Sequence, residues 1–500
     1  MKHHHLIMYI AITSLIMLAD CTTSSSESFT GDLIELKLLG GTDGDLMNTL
    51  TLTEGITPPT APLVVKNCGV FPPPYRVLVG GADMTAAYTL TATGINPYVS
   101  TPQTDTGVLT LTDGTTTLTF SSLRVTTSSC NVGDLLGAGT DANAPYIIDN
   151  DRKLSLVAEL VNGTDTTYRG SHYRVTRDID LARPMAPWSE GNGQFTPIGA
   201  ADSTVFNGTF DCQGNVISNL YINTTGSYKG LFGVVGTTGT ITNCGLVNAK
   251  VTVDGMAPTY IGSLVGFLNT GGTVAKSYSE DATVIVTGLE TEQDARLGGL
   301  VGDNSGGTIS ASYSTGMVMT SGQAAGGLVG VHDSNGTISQ SYSEADVTGY
   351  QFIGGLVGNS VKANTVIENS YATGSVTAMG SFAVGGLIGF NEAIISNSYA
   401  SGQIVNRGRG LAGFIGRRVT ASYWDTITSG QTDANGDAVG KTTTQMQVAA
   451  PVPTGDDAVY VGWSQGIWDF RAREYPRLKS VACATRQYAP ATTRTCEDIP

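Results

Sequence analysis

The sequence predicts an all-β protein whose main part is a right-handed parallel β-helix. Three observations favour this fold. A segment recurs along the second half of the chain, and each copy consists of short alternating runs of Val, Ile, Thr, Tyr and Ser. The composition is also rich in corner residues, with 64 glycines and only 14% charged residues among 500. Since a solenoid grows without adding new cores, this length does not require several domains.

The repeat is clearest in four copies, which begin with "GGLVG" or "GGLIG" and continue to "SY". They are "GGLVGDNSGGTISASYSTGMV" (298–318), "GGLVGVHDSNGTISQSYSEADV" (326–347), "GGLVGNSVKANTVIENSYATGSV" (354–376) and "GGLIGFNEAIISNSYASGQIV" (385–405). We assign the central apolar residue of each glycine box, and so the repeat core, to Leu264, Leu300, Leu328, Leu356, Leu387 and Phe414. The tyrosines of the Ser-Tyr pairs are Tyr278, Tyr313, Tyr342, Tyr371, Tyr399 and Tyr423. Both markers recur at a similar spacing, which indicates units that stack on one another.

The composition of the unit selects its shape. Short alternating runs broken by Gly and Asn are a strand signal, and no copy has a helix-length amphipathic stretch, which excludes helical solenoids. Leucine-rich repeats need a fixed lattice of leucines, and propeller blades need about 40 residues or more. The remaining fold is a parallel β-helix with one coil per repeat and about 4.8 Å between coils. We expect the box glycines at corners with positive φ, the box leucines in one interior column and the tyrosines in a second column.

The combination of "GGLVG" with "SYSTG" or "SYATG" resembles the GLUG motif, a repeat of bacterial surface adhesins and of some IgA-peptidase-like proteins. The lead-in "YRVTRDIDL" (173–181), "FTPIGA" (195–200) and "FNGTFDCQGNVISNLYI" (206–222) is similar to the segment that precedes such repeats, although Cys212 stands where Gly is usual. "ASYWDTITSGQT" (421–432), "GKTTTQMQ" (440–447) and "IWDFRAREYPRLK" (467–479) resemble the usual closing segment. The resemblance covers about residues 145 to 480 and implies a surface protein with a β-helix.

The N-terminus predicts export. A basic residue and three histidines precede an apolar run over 6–18, which is too short to span a bilayer and has the length of a signal peptide core. The run ends in "LADC" (18–21), which resembles the lipobox of bacterial lipoproteins, except that Asp20 replaces the usual small residue. The resemblance implies lipid attachment at Cys21, the alternative being ordinary signal-peptide cleavage nearby. A polar tether follows, and we expect a location at the bacterial outer membrane or cell surface.

The predicted organisation follows from these segments. It comprises a signal peptide (1–20), a tether (21–28), a small β-rich domain (29–140), the opening segment and first coils (141–225), the GLUG-type repeats (226–425), the closing segment (426–480) and a tail (481–500). In 29–140 alternating runs such as "GVLTLTDG" and proline-rich connectors indicate a small sandwich, with an immunoglobulin-like fold as one option.

Cysteine usage agrees with an oxidising compartment. With Cys21 set aside for lipid, six cysteines remain, which predict three local disulfides: Cys68 with Cys130, Cys212 with Cys244, and Cys483 with Cys496. Fifteen pairings are formally open, and free thiols are the alternative. Zinc is disfavoured because no two of these cysteines have CxxC spacing.

Candidate chemistry is sparse, so we expect no cofactor, no metal and no catalytic site. His172 and His332 both lie on predicted turns in different parts of the chain, and His332 is expected to be a solvated corner. "DANGD" (433–437) departs from a calcium loop at Ala438 and Thr444. The nearest carboxylate cluster is Glu280, Asp281, Glu344 and Asp346, which one-coil stacking spreads over about 9 to 10 Å.

Three functions remain open after this search. The net charge of −15, without a basic stripe, disfavours nucleic acid and anionic membrane surfaces as partners. We expect a non-catalytic lipoprotein that presents its repetitive β-helix for adhesion or surface binding to an unknown glycan or protein. The alternatives are a carbohydrate-active β-helix enzyme, either a polysaccharide lyase or a hydrolase, and a purely structural surface protein.

Overall fold

The computed structural model describes residues 130–182, 193–255, 259–290, 293–433 and 437–481, together with nine short strands before residue 129 and Ala86. The chain divides into two compact units. The first comprises Met1–Leu136 and Asp149–Leu156, and the second comprises Gly137–Ile148 and Val157–Pro500. The predicted signal peptide, tether and tail, with Cys21, Cys68, Cys483 and Cys496, lie outside the described residues, apart from a two-residue strand at Ile10–Ala11.

The strands of the first unit form two sheets. The five-stranded antiparallel sheet has the strand order Ile10–Ala11, Asp45–Leu50, Ile34–Gly40, Tyr75–Val79 and Ala82–Asp83. The four-stranded sheet has the order Leu63–Lys66, Thr117–Ser128, Thr104–Thr112 and Thr89–Thr93, with one parallel pair followed by two antiparallel pairs. Eight of these nine strands lie within residues 29–140, the segment for which the sequence predicts a β-rich domain, and the ninth is Ile10–Ala11.

The second unit is a parallel β-helix with three long sheets. The first sheet consists of Tyr146–Ile148, His172–Val175, Thr209–Asp211, Thr240–Thr242, Thr273–Ala275, Thr308–Ser310, Thr337–Ser339, Val366–Glu368, Ile394–Ser396 and Val419–Thr420. The second sheet consists of Phe232–Val235, Val265–Leu268, Val301–Ser305, Val329–Asp333, Val357–Ser360, Ile388–Asn391 and Ala412–Ile415.

The third sheet has 18 strands and runs along the whole solenoid. It consists of Ile179–Asp180, Val216–Ser218, Tyr221–Thr224, Gly245–Val247, Lys250–Asp254, Thr259–Ile261, Tyr278–Thr287, Ala295–Gly298, Tyr313–Thr320, Ala325–Gly326, Tyr342–Ser343, Asp346–Gly354, Tyr371–Ala372, Val376–Gly385, Tyr399–Ala400, Ile404–Val405, Tyr423–Asp425 and Val439–Lys441. The strand pairs within these three sheets are parallel, as a solenoid of stacked coils requires.

Helices are few and short in the described part of the chain. The α-helices are Asp151–Asn162, Thr426–Ser429 and Thr443–Met446, and the 3-10 helices are Val132–Asp134, Thr166–Gly170 and Lys479–Val481. The side chain of Asn150 caps the first α-helix by accepting a hydrogen bond from Lys153 N at 2.9 Å. A small antiparallel pair, Trp468–Asp469 with Arg477–Leu478, lies in the closing segment.

The registers confirm one coil per repeat. The backbone amides of Leu264, Leu300, Leu328 and Leu356 each donate to the carbonyl of the box leucine one coil later, at 2.8 to 3.1 Å. These leucines and Leu387 are completely buried. A second interior column stands on the first sheet and is equally buried. It consists of Ile241, Val274, Ile309, Ile338, Ile367, Ile395 and Val419. The apolar core is therefore continuous from coil to coil.

The assignment of Phe414 to the repeat core is wrong. Its side chain is 40% exposed, and the residue that continues the leucine column is Leu411, which is 2% exposed. The amide of Leu387 donates to the carbonyl of Leu411 at 2.8 Å, whereas Phe414 pairs in register with Phe390. The last box is therefore "GLAG" rather than "GFIG", and the side chain of Phe414 points outward because it lies three residues past the interior position.

The box glycines serve a different purpose from the one predicted. The glycines at 298, 299 and 302 are absent from the positive-φ residues, and positive φ at the Ser-Tyr corner belongs to non-glycine residues such as Ala311 and Asn369. A Cβ at Gly358 would meet the backbone N of Ala325 at 2.8 Å, which real Cβ atoms do not tolerate. Glycine is required in the box because the chain folds back closely on the previous coil.

The serine of each Ser-Tyr pair supports this corner. The amides of Ser277, Ser312, Ser341, Ser370 and Ser398 each donate to the hydroxyl of the equivalent serine one coil later, at 3.2 to 3.3 Å. Cys244 occupies the same position in the first repeat, and its amide donates to Ser277 Oγ. Cys244 is joined to Cys212 by a disulfide, with their Cα atoms 4.8 Å apart on adjacent coils. Cys130 is also in a disulfide.

His332 is not a solvated corner, as predicted, but a buried interior residue. Its side chain has no exposed surface, Nδ1 lies 3.2 Å from Asn304 Nδ2, and Nε2 lies 3.1 Å from the Val366 carbonyl. Asn304 is the register partner of His332 on the previous coil. Later coils of the same sheet also carry polar interior residues, since Ser360 pairs in register with Asn391. Burial lowers the pKa of His332 to about 4, so the imidazole is neutral at pH 7.

Candidate functional site

Two columns of aromatic side chains stand outside the interior, and they differ in what covers them. In the first, the tyrosine column, the rings of Tyr278, Tyr313, Tyr342, Tyr371 and Tyr399 stack at 4.7 to 4.9 Å. The closing segment packs on the last of them, with Trp463 and Trp468 against Tyr399 at 6.3 and 6.1 Å. Trp463 Nε1 also donates to the Ala421 carbonyl. The tyrosine column is thus a second hydrophobic core outside the solenoid.

The second column borders the glycine boxes. Its aromatic ends are partly exposed, whereas Asp303, Ala324 and Val331 in its middle are buried. The strand before each box presents one outward position and the strand after it presents another. The positions before the box are Tyr228, Tyr260, Arg296, Ala324, Phe352 and Ala383. The positions after the box are Phe267, Asp303, Val331, Asn359, Phe390 and Phe414. The glycines bring the two strands close together, so we call this double row the crease. Stacking over five coil steps makes the second row about 24 Å long.

One end of the crease carries three aromatic rings. Tyr228 and Tyr260 stack at 5.0 Å, and Phe267 meets them edge-on at 6.0 and 5.3 Å. The Tyr228 hydroxyl donates to Asp202 Oδ2 at 3.0 Å, and burial raises the pKa of this phenol to about 12. The rings are partly exposed and held by their neighbours. This group can therefore offer an aromatic surface without rearrangement.

An ion pair separates this group from the coils that follow. The Arg296 guanidinium lies over the Tyr260 ring at 5.1 Å and makes two 3.1 Å hydrogen bonds to Asp294. It also pairs with Asp303, whose side chain is completely buried. Burial raises the pKa of Asp303 to about 6, against the lowering effect of Arg296. Arg296 is thus engaged by two carboxylates, so the centre of the crease keeps a negative charge.

The other end of the crease carries phenylalanines. The Phe352 ring meets Phe390 edge-on at 5.7 Å, and Phe390 stacks on Phe414 at 4.5 Å. Phe382 lies beside the rows, one residue before Ala383, and meets the Phe352 ring edge-on at 5.5 Å, so we include it in the crease. Phe382 is 52% exposed and Phe414 is 40% exposed. Clustered exposed aromatic rings mark interaction surfaces, because soluble chains otherwise cover them. The crease is therefore the strongest candidate for a functional site among the described residues.

The predicted carboxylate cluster does not assemble. Glu280 accepts a 2.6 Å hydrogen bond from the Tyr313 hydroxyl, and Asp346 accepts from the amide and the hydroxyl of Ser375. The amide of Asp281 donates to Thr315 Oγ1, whereas Glu344 borders a separate cavity. Glu280, Asp281 and Asp346 thus make local structural contacts, and the amide of Glu344 donates to the Ser314 carbonyl at 2.9 Å. Within the described ranges no three His, Cys, Asp or Glu side chains could hold a metal ion, and the "DANGD" loop lies partly outside those ranges.

The crease escaped sequence analysis because its positions vary from coil to coil. The residues after the box are Phe267, Asp303, Val331, Asn359 and Phe390, so no single residue type is kept from coil to coil. Their common feature is phase, since each lies three residues after the box leucine or its equivalent. Counting three residues from each correctly placed box leucine would have identified the row.

Comparison with known proteins supports the resemblance. The GLUG motif matches residues 380–405. Halomucin of Haloquadratum walsbyi is 35% identical over 184 residues, and a protein named "Putative Gly-rich membrane protein" of Evansella cellulosilytica is 36% identical over 131 residues. These matches cover 37% and 26% of this chain, but only 2% and 14% of the respective relatives.

One solved structure is distantly similar to this chain. It is described as "a putative immunoglobulin A1 protease from Bacteroides ovatus", with 21% identity and a TM-score of 0.43 over 69% of this chain and 94% of that one. Separately, no helix in the described ranges has the length and apolarity needed to cross a bilayer. The motif match and the parallel coils show that the chain carries a GLUG motif at residues 380–405 on a parallel β-helix fold.

Proposed function

We propose that this is a non-catalytic surface-binding protein and that the crease is its binding face. The observation that carries the proposal is the exposed phenylalanine group at one end of the crease, in which Phe382 and Phe414 remain 52% and 40% exposed. Leaving such rings open costs free energy, because burying a Phe side chain contributes about 1.5–3 kcal/mol. A partner that covers them regains this contribution.

The geometry of the crease favours binding over catalysis. Its rings are fixed by contacts with each other, and both carboxylates at its centre are already paired with Arg296. A hydrolase or lyase would need an acid and a base free to exchange protons with a substrate. The rows instead offer two aromatic groups separated by about four coils, or about 19 Å. Two weak contacts at a fixed separation can raise the avidity for an extended ligand.

Cell-surface attachment is part of the same proposal. The names of the two relatives refer to a mucin and a membrane protein, which supports a surface location. We propose that Cys21 carries the lipid anchor after cleavage of residues 1–20, since "LADC" resembles a lipobox. Mass spectrometry of the protein from the native membrane fraction tests this directly. A diacylated peptide beginning at Cys21 is expected, and an unmodified Cys21 would refute the anchor.

The binding role is tested with the full chain on an array of glycans and matrix proteins. We expect a specific, saturable signal that falls at least tenfold in the double variant Phe382→Ser/Phe414→Ser. Ile427→Ser is the matched control, because Ile427 is 66% exposed but lies outside the crease. An equal fall in the control would refute a crease-specific site.

The enzymatic alternative makes a different prediction. If the chain cleaved a polysaccharide, turnover would depend on single carboxylates, and Glu344→Gln would abolish it while leaving binding to the crease intact. Reducing-end release and ultraviolet detection of unsaturated products cover hydrolysis and elimination. Turnover by the wild type that is lost in Glu344→Gln would overturn the non-catalytic assignment.

A further inference from the structure

A cavity of about 240 Å³ lies where the closing segment meets the tyrosine column, away from the crease. Its walls combine two coils of the solenoid with two stretches of the closing segment. The lining residues are Glu344, Tyr371, Thr373, Tyr399, Gln447, Arg473, Glu474, Tyr475 and Arg477. Sites for drug-sized ligands measure about 300–1,000 Å³, so this volume suits a single small ring rather than an oligomer.

The aromatic part of the cavity is rigid. Tyr399 is buried, its hydroxyl donates to the Pro476 carbonyl at 3.0 Å, and its ring stacks with Tyr475 at 5.9 Å. The Tyr475 hydroxyl in turn donates to Asp425 Oδ2 at 2.5 Å. Every one of these contacts is made within the chain. A ligand would therefore meet preorganised walls and would not have to order them.

The charged groups of the cavity are not equivalent. Arg477 pairs with Glu474 at 3.3 Å and is thereby neutralised. Arg473 is exposed, and within the described residues its guanidinium makes no hydrogen bond or ion pair, although its amide donates to the Gln447 carbonyl at 3.1 Å. Its backbone has φ of 68°, an unusual conformation for a residue other than glycine. The cavity therefore has one uncommitted cation at its edge.

We infer that this cavity binds one carboxylated sugar unit, of the hexuronic acid class. The Arg473 fork matches a carboxylate, which it can bind through two parallel N–H···O bonds. Gln447, Thr373 and Glu344 supply donors and acceptors for ring hydroxyls. The partly exposed ring of Tyr475, supported from behind by Tyr399, supplies the aromatic wall against which the apolar side of a sugar ring packs. Neither a simple carboxylate nor a neutral sugar uses all three features.

The test is titration of the full chain with D-glucuronate, D-galacturonate, D-glucose, D-galactose and acetate, followed by saturation-transfer NMR. At least one uronate should bind about tenfold or more tightly than its neutral counterpart and than acetate. Arg473→Gln should reduce the affinity for that uronate about tenfold, to the level of the neutral sugar, since one charge-assisted contact is lost. Arg418→Gln, at an exposed position outside the cavity, is the matched control and should not change the affinity.

The outcomes separate this site from the crease. Uronate binding should persist in the double variant Phe382→Ser/Phe414→Ser. The test of the cavity therefore does not depend on whether the crease binds a ligand. The inference is overturned if no uronate saturates its signal, if acetate or the neutral sugar binds equally well, or if Arg473→Gln leaves the affinity unchanged. Circular dichroism of Arg473→Gln confirms that the exposed substitution preserves the fold.

Discussion

The tyrosine column and the crease both arise from the repeat, but they differ in solvent exposure. Both place one side chain per coil on the outside of the solenoid, and both contain rings stacked at 4.5 to 5.0 Å. The closing segment covers the first, so Tyr371 and Tyr399 are 2% and 1% exposed. Among the described residues no comparable segment covers Phe382, which is 52% exposed. A repeat therefore makes outward columns available, and one added segment decides whether a column becomes core or surface.

The largest difference between the two should appear in stability. Tyr399→Ala removes a buried ring that contacts Trp463, Trp468 and Tyr475, and it leaves a cavity beneath the closing segment. Such truncations cost about 3–5 kcal/mol, so the closing segment should detach at a lower urea concentration. Tryptophan fluorescence reports this step, because Trp463 and Trp468 lie there. A cost below about 1 kcal/mol would show that the column is not core.

Sequence reasoning identified the buried column because its marker is invariant. A Tyr follows Ser in six copies, and a leucine occupies the box in five, so equal phase predicted equal position. The same repeat spacings could have placed the last box correctly, at Leu411 instead of Phe414. The step from Tyr399 to Tyr423 is 24 residues, and a step of 24 from Leu387 leads to Leu411, whereas Phe414 requires 27.

What covers the column could not be predicted in the same way. The hydrogen bond from Tyr399 to Pro476 spans 77 residues and joins a repeated to a non-repeated segment. Periodicity carries no information about such a contact, because the closing segment occurs once. The interior position of His332 could have been predicted, since His332 alternates with the outward residue Val331 in one strand and pairs in register with Asn304.

The interior of the solenoid is a third environment for side chains, and the pH dependence of stability tests it through the buried His332. The folded pKa of His332 is about 4, below its ordinary value of 6.5, so the unfolded chain binds a proton that the folded chain excludes. Stability contributed by the neutral form is present above pH 6.5 and is lost as the pH falls towards 4. The loss amounts to about 2–3 kcal/mol at pH 4.5.

His332→Asn isolates this contribution, because Asn already occupies the paired position at 304. The stability gap between wild type and variant in urea denaturation should shift by about 2–3 kcal/mol in favour of the variant between pH 7 and pH 4.5. The opposite linkage of Asp303, whose pKa is raised to about 6, is present in both proteins and cancels from the difference. A gap that does not change with pH would mean that His332 is not excluded from protonation.

The smallest expected effect concerns the crease itself. Phe382→Ser removes a ring that is already 52% exposed, so only about half of the 1.5–3 kcal/mol for complete burial is at stake, and no enclosed cavity remains. The free energy of unfolding in urea should therefore change by about 1 kcal/mol or less. A cost above about 2 kcal/mol would make Phe382 a structural residue, and the contrast between a covered column and an open one would fail. A small cost combined with lost array binding would instead assign the ring to recognition, because the substitution then removes affinity without removing stability.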